Sequence, residues 1–292
     1  HPQPRRQRQM CIRDRVISGG CVGGFIFYGC LKKLNLNNEW NIDNIENIYT
    51  CSVGSIVGLM IALKYDWKEL DDFLIQRPWH KILKMDVSEM FNMVNNMGLY
   101  NVKLFHDAFD PLLYGKGLDP NITIKEFYEY SGICLHIIAT KVNTMEMIDI
   151  NYKTHPDFPL IDAVYCSSAI PIAFSPYYFD NIYLCDGGFH CNYPIDYCLQ
   201  ECKADETIGV SLDQNLQEMG EPDDKNGLNL FNYLLTLTLN MSKSINRKVS
   251  TEKLRREIFI DGNHTCVQNT CDAIFEKESR EKLVQIGMDY VS

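Results

Sequence analysis

The sequence predicts an α/β protein built on a mainly parallel sheet, and three observations carry that expectation. Two strand–turn–helix units follow one another early on: Val16-Ile17-Ser18, a glycine cluster and a helical stretch over 25–34, then an apolar run through Ile45, Ile48 and Tyr49, a small-residue turn, and helical periodicity from Ser55. Apolar, β-rich runs recur downstream at 133–144, 145–152, 207–213 and 257–260. No internal repeat or low-complexity linker divides the 292 residues, a length at which one large α/β domain buries a proper core. The expected organisation is a single domain over 16–292, with 67–132 as a helical cap-like insertion.

Residues 1–15 stand apart. They hold five arginines and almost nothing apolar before an abrupt change at Val16. The apolar run that follows is broken by glycines and lacks a small-residue cleavage site, so it does not read as a signal peptide. The expectation is a foreign or disordered leader outside the fold.

Composition limits the partners. A hydrophobic share of 46% with 23% charged residues is that of an ordinary water-soluble globular chain. The net charge of −10 argues against nucleic acid, which needs a basic face. It argues equally against electrostatic docking on anionic membranes, so lipid contact would be apolar or assisted by a partner. The twelve cysteines show no C-x-x-C spacing, which points to thiols in a reducing compartment and a cytoplasmic location, peripheral to membranes where lipid is met. No run is long enough for a transmembrane segment.

The first turn, Gly19-Gly20-Cys21-Val22-Gly23-Gly24, frees backbone N–H groups to converge on an anion. A dinucleotide phosphate cradle is one option, but Cys21 breaks the G-x-G-x-x-G spacing and no P-loop lysine follows. An oxyanion hole serving the next strand fits better, because adjacent parallel strands end side by side. That next strand ends in Thr50-Cys51-Ser52-Val53-Gly54. A serine between strand and helix, with Gly54 two residues on, meets the needs of a nucleophile elbow, although Thr50 stands where G-x-S-x-G has its first glycine. The alternative is a plain strand–turn–helix capped by Ser52 or Ser55.

Residues 67–132 are rich in aromatics and methionines, among them Trp67, Phe73, Trp79, Met85, Met90, Met93 and Met97. This composition suits an acyl-chain wall, or a helical insertion packing on the core. Residues 220–227 read as an acidic surface loop. The leucine-rich helix over 228–249 has apolar residues on nearly all sides and is expected to be buried rather than interfacial.

Four motifs then appear in order: Ser167-Ser168-Ala169-Ile170-Pro171, Phe174-Ser175-Pro176, Asp186-Gly187-Gly188 and Asn192-Tyr193-Pro194. With the glycine loop and the Ser52 elbow, this chain resembles the patatin-like phospholipases, whose pattern runs S-x-A-x-P, F-x-P, D-G-G/A, N-x-P. The segment 275–291 is similar to that family's closing helix. The resemblance implies a three-layer α/β/α sandwich and a lipid acyl hydrolase. It implies a Ser–Asp dyad of Ser52 and Asp186, an oxyanion hole from the N–H groups of Gly19, Gly20, Cys21, Val22, Gly23, Gly24 and Val53, and motif support from Thr50, Gly54, Gly187 and Gly188. It implies no metal and no organic cofactor. From the residues alone, a Ser–His–Asp triad through His190 or His264 stays open, as does Asp186 as a simple turn aspartate. The loop departs from the family's G-G-G-x-K/R-G at Cys21 and Gly23. A catalytically degenerate binding or scaffolding module and a general esterase or thioesterase are the alternative functions.

Overall fold

The computed structural model describes residues 12–83, 95–213, 229–245, 254–265 and 267–291. In chain order the strands are β1 (Asp14–Ile17), β2 (Asn47–Cys51), β3 (Gly98–Tyr100), β4 (Cys134–Lys141), β5 (Met147–Ile150), β6 (Ile172–Phe174), β7 (Tyr177–Phe179), β8 (Ile182–Asp186), β9 (Thr207–Leu212) and β10 (Arg256–Ile260). The α-helices are α1 (Gly23–Leu36), α2 (Val53–Ala62), α3 (Trp67–Asp71), α4 (Val102–Gly115), α5 (Ile124–Ser131), α6 (Leu160–Ser168), α7 (Ile195–Glu201), α8 (Asn229–Ile245), α9 (Val267–Phe275) and α10 (Lys277–Asp289).

Eight strands form one mixed sheet in the order β10-β9-β1-β2-β4-β8-β7, with β5 also paired to β4. The five strands from β10 to β4 run parallel, and β5, β7 and β8 pair antiparallel at one margin. Alternation along the strands sorts residues onto two buried faces. Ile17 and Ile48 enter the large core beneath α1 and α2, whereas Val16 and Tyr49 meet Ile195 and Cys198 of α7 on the other side. The expected layered α/β fold on a mainly parallel sheet is therefore observed.

Two expectations change. The fold does not begin at Val16: β1 starts at Asp14, Ile12 joins the core, and Arg15 is wholly buried, so the leader expected over 1–15 contributes its last four residues to the fold. Residues 1–11 lie outside the described residues, as do 84–94 of the insertion and the acidic loop 220–227. The closing helix expected over 275–291 is present as α10, which follows α9 after Glu276. α8 is not a buried helix, since Tyr233 and Met241 are 50% and 54% exposed. Leucines around a whole helix signal apolar surroundings and leave open what supplies them.

Within 67–132 the described residues are mainly helical, with a small parallel pairing of β3 to β6. His106 of α4 lies between two carboxylates, Asp110 (2.9 Å) on its own helix and Asp162 (2.9 Å) on α6, which ties this region to the helix behind the site. Burial disfavours the charged imidazole, but the two carboxylates outweigh it and raise its pKa.

Candidate active site

The parallel register sets β1 beside β2, with Ile17 opposite Thr50, so their carboxyl ends open into one crevice. Ser52 leaves β2 at φ 52° and ψ −129°, a strained conformation for a non-glycine residue and the one a nucleophile elbow imposes. Gly54 is required there by contact: a Cβ on it would stand 2.5 Å from the Ile17 carbonyl oxygen. Thr50 does not crowd Ser52. Its hydroxyl donates to the His136 carbonyl (2.9 Å) and its methyl faces Gly58 of α2, where a Cβ would approach to 2.7 Å. A glycine one turn into the helix thus accommodates the side chain that the strand end lacks in G-x-S-x-G.

β8 delivers Asp186 to the same point. Ser52 Oγ donates to Asp186 Oδ2 at 2.6 Å, and the Gly188 N–H donates to Oδ1 at 2.7 Å. Gly187 makes this possible by lying against β4, where a Cβ would stand 2.2 Å from the Ile138 carbonyl oxygen. Ser52 and Asp186 are 5% and 4% exposed. Burial pushes the Asp186 carboxyl up to about 6, against the opposing pull of the Ser52 and Gly188 hydrogen bonds. An aspartate that is ionised at neutral pH, yet far more basic than a free one, suits proton abstraction.

Neither candidate histidine joins this pair among the described contacts. His190 is exposed and places Nδ1 on the Met145 carbonyl (3.0 Å). His264 lies in the 3₁₀ segment Gly262–Thr265 with its ring against Tyr290. The triad alternative has no geometric support.

The glycine loop supplies fewer donors than its composition implies. The Gly19 N–H donates to the Asn192 carbonyl (2.9 Å), that of Gly23 to Gly20 (2.8 Å) and that of Gly24 to Cys21 (3.2 Å). The last two close the loop's own turn, and the first ties the loop to the segment around Asn192. Gly20, Val22 and Val53 remain without an acceptor among the described hydrogen bonds. Val53 is at the first turn of α2, whose N–H groups and dipole point toward the serine.

Cys21 holds φ 48°, the left-handed region that favours glycine. Cys21→Gly is expected to release this strain and raise stability by about 1 kcal/mol, net of the added chain entropy. In a thermal melt this reads as a rise of about 2 °C. A lower melting temperature would show that the cysteine's packing outweighs its backbone.

Two functional residues were not singled out from sequence. Ser167 of α6, wholly buried, accepts the Ser52 N–H (2.9 Å) and the Ser55 hydroxyl (2.9 Å) while donating to the Ile138 carbonyl. It braces the elbow from behind. Asn192 holds the loop from the other side, accepting the Gly19 N–H on its main chain and donating Nδ2 to the Gly19 carbonyl (3.2 Å). Both lie in motifs quoted for the resemblance, which was the available signal. A cleft of about 70 Å³ opens above the pair, walled by Gly20, Cys21, Ile170, Phe189, Leu212 and Leu239. Among the described residues no group of three or more His, Cys, Asp or Glu is arranged to hold a metal ion, and no helix is long and apolar enough to cross a membrane.

The chain is 26% identical over 264 residues to the uncharacterized protein R571 of Acanthamoeba polyphaga mimivirus, covering 89% of this chain and 86% of that one. It is 26% identical over 187 residues to a protein of Invertebrate iridescent virus 6 described as "Probable lipid hydrolase 463L", covering 63% of this chain and 62% of that one. Among solved structures, VipD from Legionella pneumophila shares the fold with a TM-score of 0.51 at 12% identity, covering 96% of this chain and 67% of that one. The family model for patatin-like phospholipases matches residues 16–199, from the end of β1 through the D-G-G and N-x-P motifs. The chain belongs to the patatin-like phospholipase family.

Proposed function

We propose that this protein is a serine acyl hydrolase of the phospholipase A or lysophospholipase type, cleaving fatty acyl esters through a Ser52–Asp186 dyad. The observation that carries the reading is the 2.6 Å hydrogen bond from Ser52 Oγ to a buried carboxylate. As Oγ attacks the ester carbonyl, its proton passes to Asp186 Oδ2 and the carbonyl oxygen gains negative charge. The N–H groups of Gly20 and Val53 are the best-placed donors for that charge, aided by the amino-terminal dipole of α2. When the tetrahedral adduct collapses, the protonated Asp186 gives its proton to the leaving alkoxide and the acyl group stays on Ser52. A water molecule then loses a proton to Asp186 and attacks the acyl carbonyl, and as this second adduct collapses Asp186 returns the proton to the departing Ser52 Oγ, which frees the fatty acid and restores both residues. Every proton is accounted for by the dyad and water.

The apolar walls of the cleft favour a long acyl chain over a small soluble acyl group. The family to which the chain belongs, and the lipid hydrolase description of its viral relative, support lipid as the substrate class.

Fluorophosphonate labelling tests the nucleophile. Wild type is expected to label and Ser52→Ala to lose labelling entirely while keeping its melting temperature within a few degrees. Absence of labelling in folded wild type would instead favour a non-catalytic binding module. A rate independent of acyl length, with long chains presented in micelles, would favour a general esterase.

A further inference from the structure

Building on the lipid-ester reading, we propose that the outward face of α8 is the surface by which this protein seats on an uncharged lipid surface, beside the mouth of its cleft. α8 holds seventeen residues with no aspartate or glutamate and a single lysine, Lys243, in a chain of net charge −10. At about 100° per residue, Leu235, Leu239 and Ser242 fall on one face and Tyr233, Leu237 and Met241 on the other, with Leu234 beside them. The first set is turned to the site. Leu239 and Ser242 line the cleft, and the Ser242 hydroxyl donates to the carbonyl of Gly188, the residue whose N–H holds Asp186.

The second set is turned to water. Tyr233, Leu234, Leu237 and Met241 are 50%, 36%, 41% and 54% exposed. A helix on an ordinary protein surface turns its polar side outward. α8 presents apolar residues to solvent and to the cleft alike, so one helix wall is shared between the site and the outside.

Three features select a lipid surface as the occupant. The outward stripe from Tyr233 to Met241 runs about 12 Å along a helix about 10 Å wide, on the order of 100 Å², far less than the roughly 800 Å² that each partner contributes to a stable protein interface. A few apolar side chains on one helix face are enough to seat a protein at the boundary between headgroups and acyl chains, and a tyrosine suits that boundary with its apolar ring and polar tip. The acidic charge of the whole chain disfavours anionic lipid, and the near absence of charge on α8 suits a zwitterionic one. A substrate embedded in such a surface would then be presented to the cleft by the helix that walls it.

The test uses phosphatidylcholine vesicles and the Ser52→Ala chain, so that binding is read without hydrolysis. Co-sedimentation is expected, with no gain when phosphatidylserine is added. Leu237→Gln with Met241→Gln is expected to lower vesicle partitioning at least tenfold. The same pair in the active chain is expected to leave the fluorophosphonate labelling rate of Ser52 unchanged, which also verifies its fold. As an independent readout, the Leu237→Trp variant is expected to shift its fluorescence emission to the blue with vesicles and to be quenched by brominated phosphatidylcholine. Equal partitioning of variant and parent, no partitioning of the parent, unshifted emission from the Leu237→Trp variant, or a concentration-dependent dimer abolished by the double substitution would each overturn the proposal. Vesicle binding by a chain that does not label would sink the hydrolase reading and leave the docking face standing.

Discussion

Asp186→Asn is expected to lower kcat by about 1,000-fold, the range of a lost general base, and at the same time to stabilise the fold at neutral and alkaline pH. The substitution is isosteric: the amide oxygen can accept the Gly188 N–H and the amide nitrogen can donate to Ser52 Oγ, so the geometry is kept and only the base is lost. The gain in stability comes from linkage. Burial raises the Asp186 carboxyl from 3.8 to about 6 in the folded state. Its contribution to stability is therefore fully present below pH 3.8 and is lost as pH rises through 6. At pH 8 the fold holds an ionised carboxylate in a buried site, at a cost of about 3 kcal/mol by the size of the shift. Asparagine removes that cost. The melting temperature of Asp186→Asn should exceed that of wild type at pH 8 and approach it near pH 4. In the wild type, kcat/KM should rise with unit slope through pH 6 and level off above it, since the base works only when ionised. A kcat/KM that stays flat between pH 5 and 8, or an asparagine variant less stable than wild type at pH 8, would remove Asp186 from the role of buried base.

What was legible in the sequence was what is local. The Ser52 elbow follows from strand, turn and helix within a dozen residues, and the glycine loop and Asp186-Gly187-Gly188 are similarly self-contained. The site itself is assembled over long separations: 134 residues between Ser52 and Asp186, 115 between Ser52 and Ser167, and 173 between Gly19 and Asn192. No periodicity encodes which strands become neighbours, so the brace from Ser167 and the clasp from Asn192 emerge only when α6 and the N-x-P turn converge on β1 and β2. The direction of a side chain is equally hidden. Thr50 looks like an obstruction beside Ser52 in one dimension, but its place on the pleat turns it toward Gly58 and away from the cleft. The glycine loop shows the opposite error, because composition counts N–H groups without showing that two of them close the loop's own turn and a third is taken by Asn192.

Arg15→Leu is expected to stabilise the protein by about 2–4 kcal/mol. Arg15 is wholly buried on β1, paired across the sheet with Ile48 and Ile208, and packs its guanidinium 4.5 Å from the Trp40 ring. Nη1 donates to the Asp14 carbonyl at 2.8 Å, while Nε and Nη2 have no partner among the described residues. Burial lowers its pKa from the usual guanidinium range, with Asp14 only partly opposing the effect. A cation–π contact of this kind supplies about 2 kcal/mol, less than the several kcal/mol needed to bury a charge without its hydrogen bonds. Arg280 provides the contrast. It is 3% exposed, but it donates to the carbonyls of Ile75 (2.9 Å), Ala273 (2.8 Å) and Arg77 (3.2 Å), so its donors are matched and it clips α10 to the segment after α3. Arg280→Leu should therefore destabilise by about 2 kcal/mol or more, since three buried carbonyls lose their donor. Chemical denaturation of the two variants beside wild type decides between burial and pairing as the controlling quantity. Opposite signs are expected for two arginines of nearly equal burial; a loss of stability in Arg15→Leu would mean that the stack on Trp40 outweighs two orphaned N–H groups.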